Sequence, residues 1–377
     1  MTLRKVTTWA AIALLILAII GWLMFRNTSI GAYFANTFSS SDWQADANHI
    51  EVSISPDDTH IVIPVYLNGE GPFRFVLDTG APMTAIFGSS RTATLNLEAA
   101  GDIAVGGAGS GNGITGSIVN NVDIGIGTLK LNQQTLIVMP WKLLPFAVGD
   151  TPQYDGVIGF DLFKRYPVEI DLTNHLMRIH EDLPPAAGES DTVLPISFSG
   201  RKPYLTATTT LTPDTTLQTK LQMDIGSNGT LSLLPGALPE IKTPESTIER
   251  HGWGLSGRVT SQVARIPSLT LGDIELHNVI TAFSVSGAAT SGNRHGLIGL
   301  GVLERFDLLI DYPAKRVVLS PTDRLKQPFE IDMAGMDLVP ENDQLLVRHV
   351  YPGSAAENVG IQTDDRIVSI NGRPSNQ

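Results

Sequence analysis

A chain of 377 residues exceeds one ordinary domain of roughly 100–200 residues, and 42% hydrophobic against 17% charged residues leaves ample material for buried cores. A formal charge of −12 without any basic cluster argues against a nucleic-acid partner, whose phosphates call for dense Lys and Arg. With no cysteine there can be no disulfide, thiolate metal site or lipidated Cys, and the eight scattered histidines form no His-Glu-x-x-His, so no metal or other cofactor is expected.

The first element is an uncharged apolar run from Trp9 to Phe25, flanked by Arg4 and Lys5 before it and Arg26 after it. Its seventeen residues approach the roughly 17–25 needed for a membrane-spanning helix and exceed the usual signal-peptide core of about 7–15. Residues 1–26 therefore read as an uncleaved signal anchor, with a cleaved signal as the alternative. The positive N-terminus places the body of the protein on the extracytoplasmic side, periplasmic or extracellular. Residues 27–47, polar and small in composition, read as a linker.

Beyond them, 36 glycines and recurring short runs of Val, Ile, Leu and Thr between turn residues predict a mainly β chain. An internal repeat organises it. Phe75-Val76-Leu77-Asp78-Thr79-Gly80-Ala81 aligns with Leu221-Gln222-Met223-Asp224-Ile225-Gly226-Ser227 at an offset of 146, and Gly156-Val157-Ile158-Gly159 with Gly296-Leu297-Ile298-Gly299 at 140. Between these anchors, Val122–Gly127 resembles Ile266–Gly272. The expected lobes are residues 48–183 and 190–322, related by a pseudo-two-fold axis.

Asp78 and Asp224 each follow an apolar strand and precede a glycine that permits a tight turn. Either alone reads as a strand-end turn; the pair at equivalent places in a repeat reads as chemistry. Two carboxyls brought about 3 Å apart cannot both ionise, so one activates a water while the other, still protonated, donates to a carbonyl oxygen.

Asp78-Thr79-Gly80-Ala81, Val157-Ile158-Gly159 and their second copies resemble the retropepsin and pepsin aspartic peptidases, in particular bacterial tandem retropepsin-like proteins with a C-terminal PDZ domain. The resemblance implies a bilobal acid-protease fold and a polypeptide substrate. Asp78 and Asp224 would be catalytic, Thr79, Gly80, Ala81, Ile225, Gly226 and Ser227 would support the active-site loops, and Gly159 and Gly299 would pack behind them. The Gly106–Gly113 segment, with Gly109, Ser110, Gly111 and Gly113, would be a substrate-covering flap; a plain surface loop is the alternative. Gly111–Gly116 also fits G-x-G-x-x-G, but the residues after it make a poor helix start for a dinucleotide loop.

The family's second Thr is Ile225 here, which removes one hydroxyl from the contact between lobes. Ser227 offers Asp224 a hydroxyl that Ala81 cannot offer Asp78. These departures keep open a rival reading, a catalytically retired peptide-binding scaffold.

At the C-terminal end, Val350-Tyr351-Pro352-Gly353-Ser354-Ala355-Ala356-Glu357 and Asp364–Gly372 resemble a PDZ domain, which captures peptide C-termini by strand addition. Residues 327–377 stop short of the helix and strand that usually complete the groove, so a partial PDZ domain is expected.

Overall fold

The computed structural model describes residues 27–377 apart from 56–58, 183, 185, 289–293, 342–343 and 376–377, and before them only Ile12, 14–16, 21–22 and Phe25. Most of the apolar run from Trp9 to Phe25 lies outside the described residues. Among the described residues no helix is long and apolar enough to cross a membrane.

Period-two burial along β-branched strands, as in Val62–Leu67, builds two eight-stranded sheets of matching topology. In the first sheet the order is Ser41–Trp43, Leu129–Pro140, Ala85–Gly88, Gly156–Ile158, Glu70–Leu77, Val62–Leu67, Ile114–Ile126 and Ala99–Val105. In the second, Ile274–Ser286, Leu231–Leu233, Gly296–Ile298, Thr215–Met223, Lys202–Thr212, Gly257–Leu271 and Ile248–Gly254 occupy the last seven of those places in the same spatial sequence. Each sheet curls back on itself through one further pairing, Ile114–Ile126 with Leu129–Pro140 and Gly257–Leu271 with Ile274–Ser286. A single apolar core, including Leu77, Ile86, Ile158, Leu221, Leu233 and Ile298, runs through both.

A six-stranded sheet joins the lobes. Three strands come from each copy, and the central pair, Val168–Asp171 and Phe306–Asp311, meets antiparallel with Val168 opposite Ile310 and Ile170 opposite Leu308. These four side chains are buried, so the joint between lobes is apolar and fixed.

The expected linker at 27–47 is instead folded onto the first lobe. Helix Ser29–Ala35, capped by the Thr28 hydroxyl accepting from the Gly31 N–H at 3.1 Å, buries Ala32 against a cluster that includes Met83, Ile118 and Met139. Asn36 is buried and pairs with the Thr135 backbone in both directions, donating at 2.9 Å and accepting at 2.7 Å. Strand Ser41–Trp43 then pairs with Leu129–Pro140. Polar composition suggested a tether because it does not register such side-chain-to-backbone pairing.

The PDZ segment forms the sheet Met336–Glu341, Gln344–Val350 and Arg366–Ile367, with helix Ala355–Asn358. It rests on the second lobe. The Tyr351 hydroxyl accepts the His251 N–H at 2.7 Å and donates to the Asp337 carboxylate at 3.0 Å, and the Arg348 guanidinium lies 3.7 Å from the centre of the Trp253 ring. Arg348 also reaches the Pro145 carbonyl of the first lobe at 2.8 Å.

If residues 27–47 belong to the fold, Asn36→Ala destabilises the protein by on the order of 2 kcal/mol, because two buried backbone groups lose their partner. A denaturation midpoint unchanged from that of the parent would restore the linker reading.

Candidate active site

Each aspartate is placed by the same local device. The strand Glu70–Leu77 runs parallel to Gly156–Ile158, which also pairs antiparallel with Ala85–Gly88; Thr215–Met223, Gly296–Ile298 and Leu231–Leu233 repeat this arrangement. The chain thus leaves the sheet at Asp78 or Asp224, turns, and re-enters on the far side of a short central strand. That strand holds the turn: Ile158 accepts the Asp78 N–H at 2.9 Å and Ile298 the Asp224 N–H at 3.0 Å. Gly159 and Gly299 lie behind the turns, where an added Cβ would sit 2.1 Å from the Asp78 carbonyl oxygen and 2.3 Å from that of Gly229.

The two turns meet face to face. A Cβ on Gly80 would fall 2.5 Å from Asp224 Oδ2, and one on Gly226 would fall 2.3 Å from Asp78 Cγ. Only glycine permits this approach. The carboxyls lie close together, half-buried at the junction of the lobes, and each acts on the ionisation of the other. Burial first, and the Asp224 charge second, hold the Asp78 carboxyl up at about 8. Asp224 is also raised by burial, against the lowering influence of Lys202, the Asp78 hydrogen bond and Arg294.

Thr79 is fully buried and ties the lobes together. Its hydroxyl donates to the Met223 carbonyl at 2.8 Å and accepts the Ile225 N–H at 3.1 Å. Ile225, also fully buried, belongs to the apolar core and provides no reciprocal hydroxyl. One side chain therefore makes both side-chain bonds of this contact.

Ala81 supplies an N–H to Asp78 Oδ1 at 3.1 Å, beside that of Gly80 at 2.6 Å. Ser227, expected to solvate Asp224 through its hydroxyl, acts through its backbone: its N–H bonds the Asp224 carbonyl at 3.3 Å and its carbonyl accepts the Leu300 N–H at 2.7 Å. The side chain that reaches Asp224 is Gln222, whose Nε2 donates to Oδ2 at 3.1 Å. Arg294, buried like Gln222, donates to the Gln222 Oε1. Sequence inspection missed both, because Val76 stands where Gln222 stands in the repeat and Tyr154 where Arg294 stands.

The glycine-rich hairpin expected as a flap does not stand alone but meets a second hairpin from the other lobe. The segment between Ala99–Val105 and Ile114–Ile126 meets the tip between Ile248–Gly254 and Gly257–Leu271 through backbone bonds: Gly111 N–H to the Ser256 carbonyl at 2.6 Å, Ser256 N–H to Ala108 at 2.8 Å, and Ser110 N–H to Arg258 at 3.1 Å. The Gly109 N–H adds a bond to Gly287 at 2.7 Å, and Gly113 turns the hairpin at a φ of +78°. No helix follows Gly111–Gly116; the chain enters a strand, which removes the dinucleotide-loop alternative. The second hairpin carried a signal: Gly252, Ser256 and Gly257 stand 146 residues after Gly106, Ser110 and Gly111. Its strand is the one on which Tyr351 and Arg348 rest.

The 420 Å³ cavity lined by Tyr66, Asn68 and Lys130 contains neither aspartate and lies apart from this site. Among the described residues no group of three or more His, Asp or Glu side chains is arranged to hold a metal.

Thr79→Val keeps the shape of the side chain and deletes its hydroxyl, leaving the Met223 carbonyl and the Ile225 N–H without this partner. The expected loss is on the order of 2 kcal/mol in chemical denaturation, and a neutral result would show that Thr79 does not join the lobes. Because the Asp78 pKa is raised in the fold, the native state holds a proton that the unfolded chain releases between the ordinary value of 3.8 and about 8. The resulting stabilisation is present below the unfolded value and is lost as pH rises through the folded one. Asp78→Asn removes this slope, so its thermal stability relative to the parent increases from pH 4 to pH 8, by about 1 kcal/mol per unit. A difference that does not vary with pH would contradict the raised carboxyl.

Residues 63–162 match the family model described as aspartyl protease, and residues 346–377 that of the PDZ domain. The second aspartate lies outside the matched stretch. No curated protein matches the chain. The crystal structure of aspartic proteinase from Irpex lacteus is similar at 16% identity with a TM-score of 0.50, over 75% of this chain and 100% of that one. Residues 63–162 are thus similar to an aspartyl protease domain and residues 346–377 to a PDZ domain, and the two lobes share the fold of an aspartic proteinase.

Proposed function

We propose that the protein is an aspartic endopeptidase that hydrolyses extended polypeptide segments with a water held between Asp78 and Asp224. The observation that carries this reading is the pair of carboxyls brought together by two equivalent turns, each turn's glycine lying against the other aspartate. The charged carboxylate takes a proton from the water as its oxygen attacks the scissile carbonyl carbon. The protonated carboxyl gives its proton to the carbonyl oxygen, producing a neutral gem-diol. Collapse returns one hydroxyl proton to the second carboxyl, transfers the first carboxyl's proton to the leaving nitrogen, and breaks the C–N bond. Proton count and charge are the same at the end as at the start.

The fold supplies the remaining requirements. The hairpins around Gly109–Gly113 and Leu255–Gly257 exclude water when joined and present backbone groups to an extended substrate when parted. The PDZ domain, seated on the strand of the second hairpin, is read as a dock for a substrate's C-terminus. The apolar run Trp9–Phe25 is read as the anchor that holds this machinery at the extracytoplasmic face of a membrane.

A singly protonated dyad operates between its two apparent pKa values. With Asp224 raised above 3.8 and Asp78 at about 8, the enzyme works in the weakly acidic to neutral range. For cleavage of an unfolded protein, kcat/KM is expected to be bell-shaped with an alkaline limb near pH 8, inhibited by pepstatin and abolished in Asp78→Asn. Cleavage that persists in Asp78→Asn overturns the assignment.

The second reading, a retired scaffold, is favoured by Ile225 and by the hydrogen-bonded hairpins. Ile225→Thr separates the two: a peptidase gains or keeps activity with the added hydroxyl, whereas a retired cleft stays inert.

A further inference from the structure

The two turns are close copies in backbone and unlike in side-chain surroundings. On Asp78, Oδ1 accepts both the Gly80 and the Ala81 N–H, which leaves Oδ2 as the oxygen able to carry a proton. On Asp224, Oδ1 accepts the Gly226 N–H at 3.1 Å and Oδ2 accepts Gln222 Nε2 at 3.1 Å. Both oxygens of Asp224 thus face donors, the environment of a carboxylate and not of an acid.

The Gln222 amide has two possible orientations, and one neighbour decides between them. A guanidinium has only donors, so with Arg294 against one end of the amide that end must be the carbonyl oxygen. The NH₂ group is then turned to Asp224. Without Arg294, the amide can also turn its oxygen to Asp224, where it accepts from the protonated carboxyl and so favours the acid form. Val76, at the equivalent place beside Asp78, has no polar atom to offer.

We infer that Arg294 is a positioning residue: through the Gln222 carboxamide it keeps the negative charge on Asp224 and the single shared proton on Asp78. In the hydrolysis proposed above, which this inference takes as its basis, Asp224 is then the base that accepts the water proton and Asp78 the acid that protonates the carbonyl oxygen. The other ionisable groups acting on the dyad are consistent with that polarity. Lys202 acts on both carboxyls, Arg294 on Asp224, and the buried Tyr312 phenol interacts with both aspartates from the side of the interlobe sheet.

A hydrogen bond to a charged group is worth about 1.5–3 kcal/mol, which corresponds to about one to two pKa units. The test is a ¹³C NMR titration of the full chain labelled at the aspartate side-chain carboxyls, the two signals being identified by their loss in Asp78→Asn and Asp224→Asn. Asp224 is expected to ionise first, and its midpoint to rise by about one unit in Gln222→Leu and in Arg294→Met. Arg294→Lys, which also presents only donors to the amide oxygen, should return the midpoint to the parent value. The acid limb of the kcat/KM profile moves with it in each variant.

Equal Asp224 midpoints in the parent, Gln222→Leu and Arg294→Met overturn the inference, as does a parent in which Asp78 ionises first. If Gln222→Leu does not fold, the contrast between Arg294→Met and Arg294→Lys decides the matter alone. The titration needs no turnover, so a chain that titrates as described but cleaves nothing contradicts the peptidase reading while supporting the relay.

Discussion

Two turns that approach until no Cβ fits between them set the terms for the rest of this molecule. Gly80 lies against the Asp224 carboxylate and Gly226 against Asp78, so each lobe supplies the wall of the other's site. Bringing two acidic groups together in a half-buried junction is unfavourable unless they share a proton. The apolar six-stranded sheet, the buried Thr79 hydroxyl and the two central strands behind the turns hold the groups in that position. A covalent tandem makes this possible without self-association, because the second half-site is always present at high effective concentration.

The duplication also allows the halves to diverge. A dimer of identical chains must offer each carboxyl the same surroundings, and its polarity arises only when a substrate binds. Here Thr79 bonds across the lobe boundary while Ile225 packs into the core, and Gln222 with Arg294 serve Asp224 where the first copy has Val76 and Tyr154 at the equivalent positions. The hairpins have diverged as well. The first is glycine-rich and free of large side chains between Gly106 and Gly113, whereas the second carries Trp253 and is covered by the PDZ domain. Movement of the second hairpin therefore involves the contacts of Tyr351 and Arg348, which link the C-terminal segment to the paired hairpins.

Much of this architecture was legible in the sequence because the fold repeats its most constrained parts. Asp-x-Gly and apolar-Ile-Gly recur at offsets of 146 and 140, since the turns and the strands behind them admit few substitutions. What was not legible depends on pairing across long separations. The helix Ser29–Ala35 and Asn36 are fastened by partners on strands about a hundred residues away, and polar composition carries no trace of that. Gln222 and Arg294 were hidden for the opposite reason: they are places where the repeat is broken, and a search for similarity passes over them. The second hairpin could have been found, since Gly252, Ser256 and Gly257 keep the offset of 146 despite the loss of the surrounding glycines.

The central claim is that Asp78 and Asp224 form one hydrogen-bonded unit. The most direct measurement is an atomic-resolution crystal structure of the protein near pH 6. The account predicts carboxyl oxygens of the two residues within about 3 Å of each other, with one C–O bond of Asp78 lengthened by its proton and the two C–O bonds of Asp224 equal. Carboxyls separated beyond hydrogen-bonding distance in an ordered cleft, or each paired with its own lobe, would contradict it.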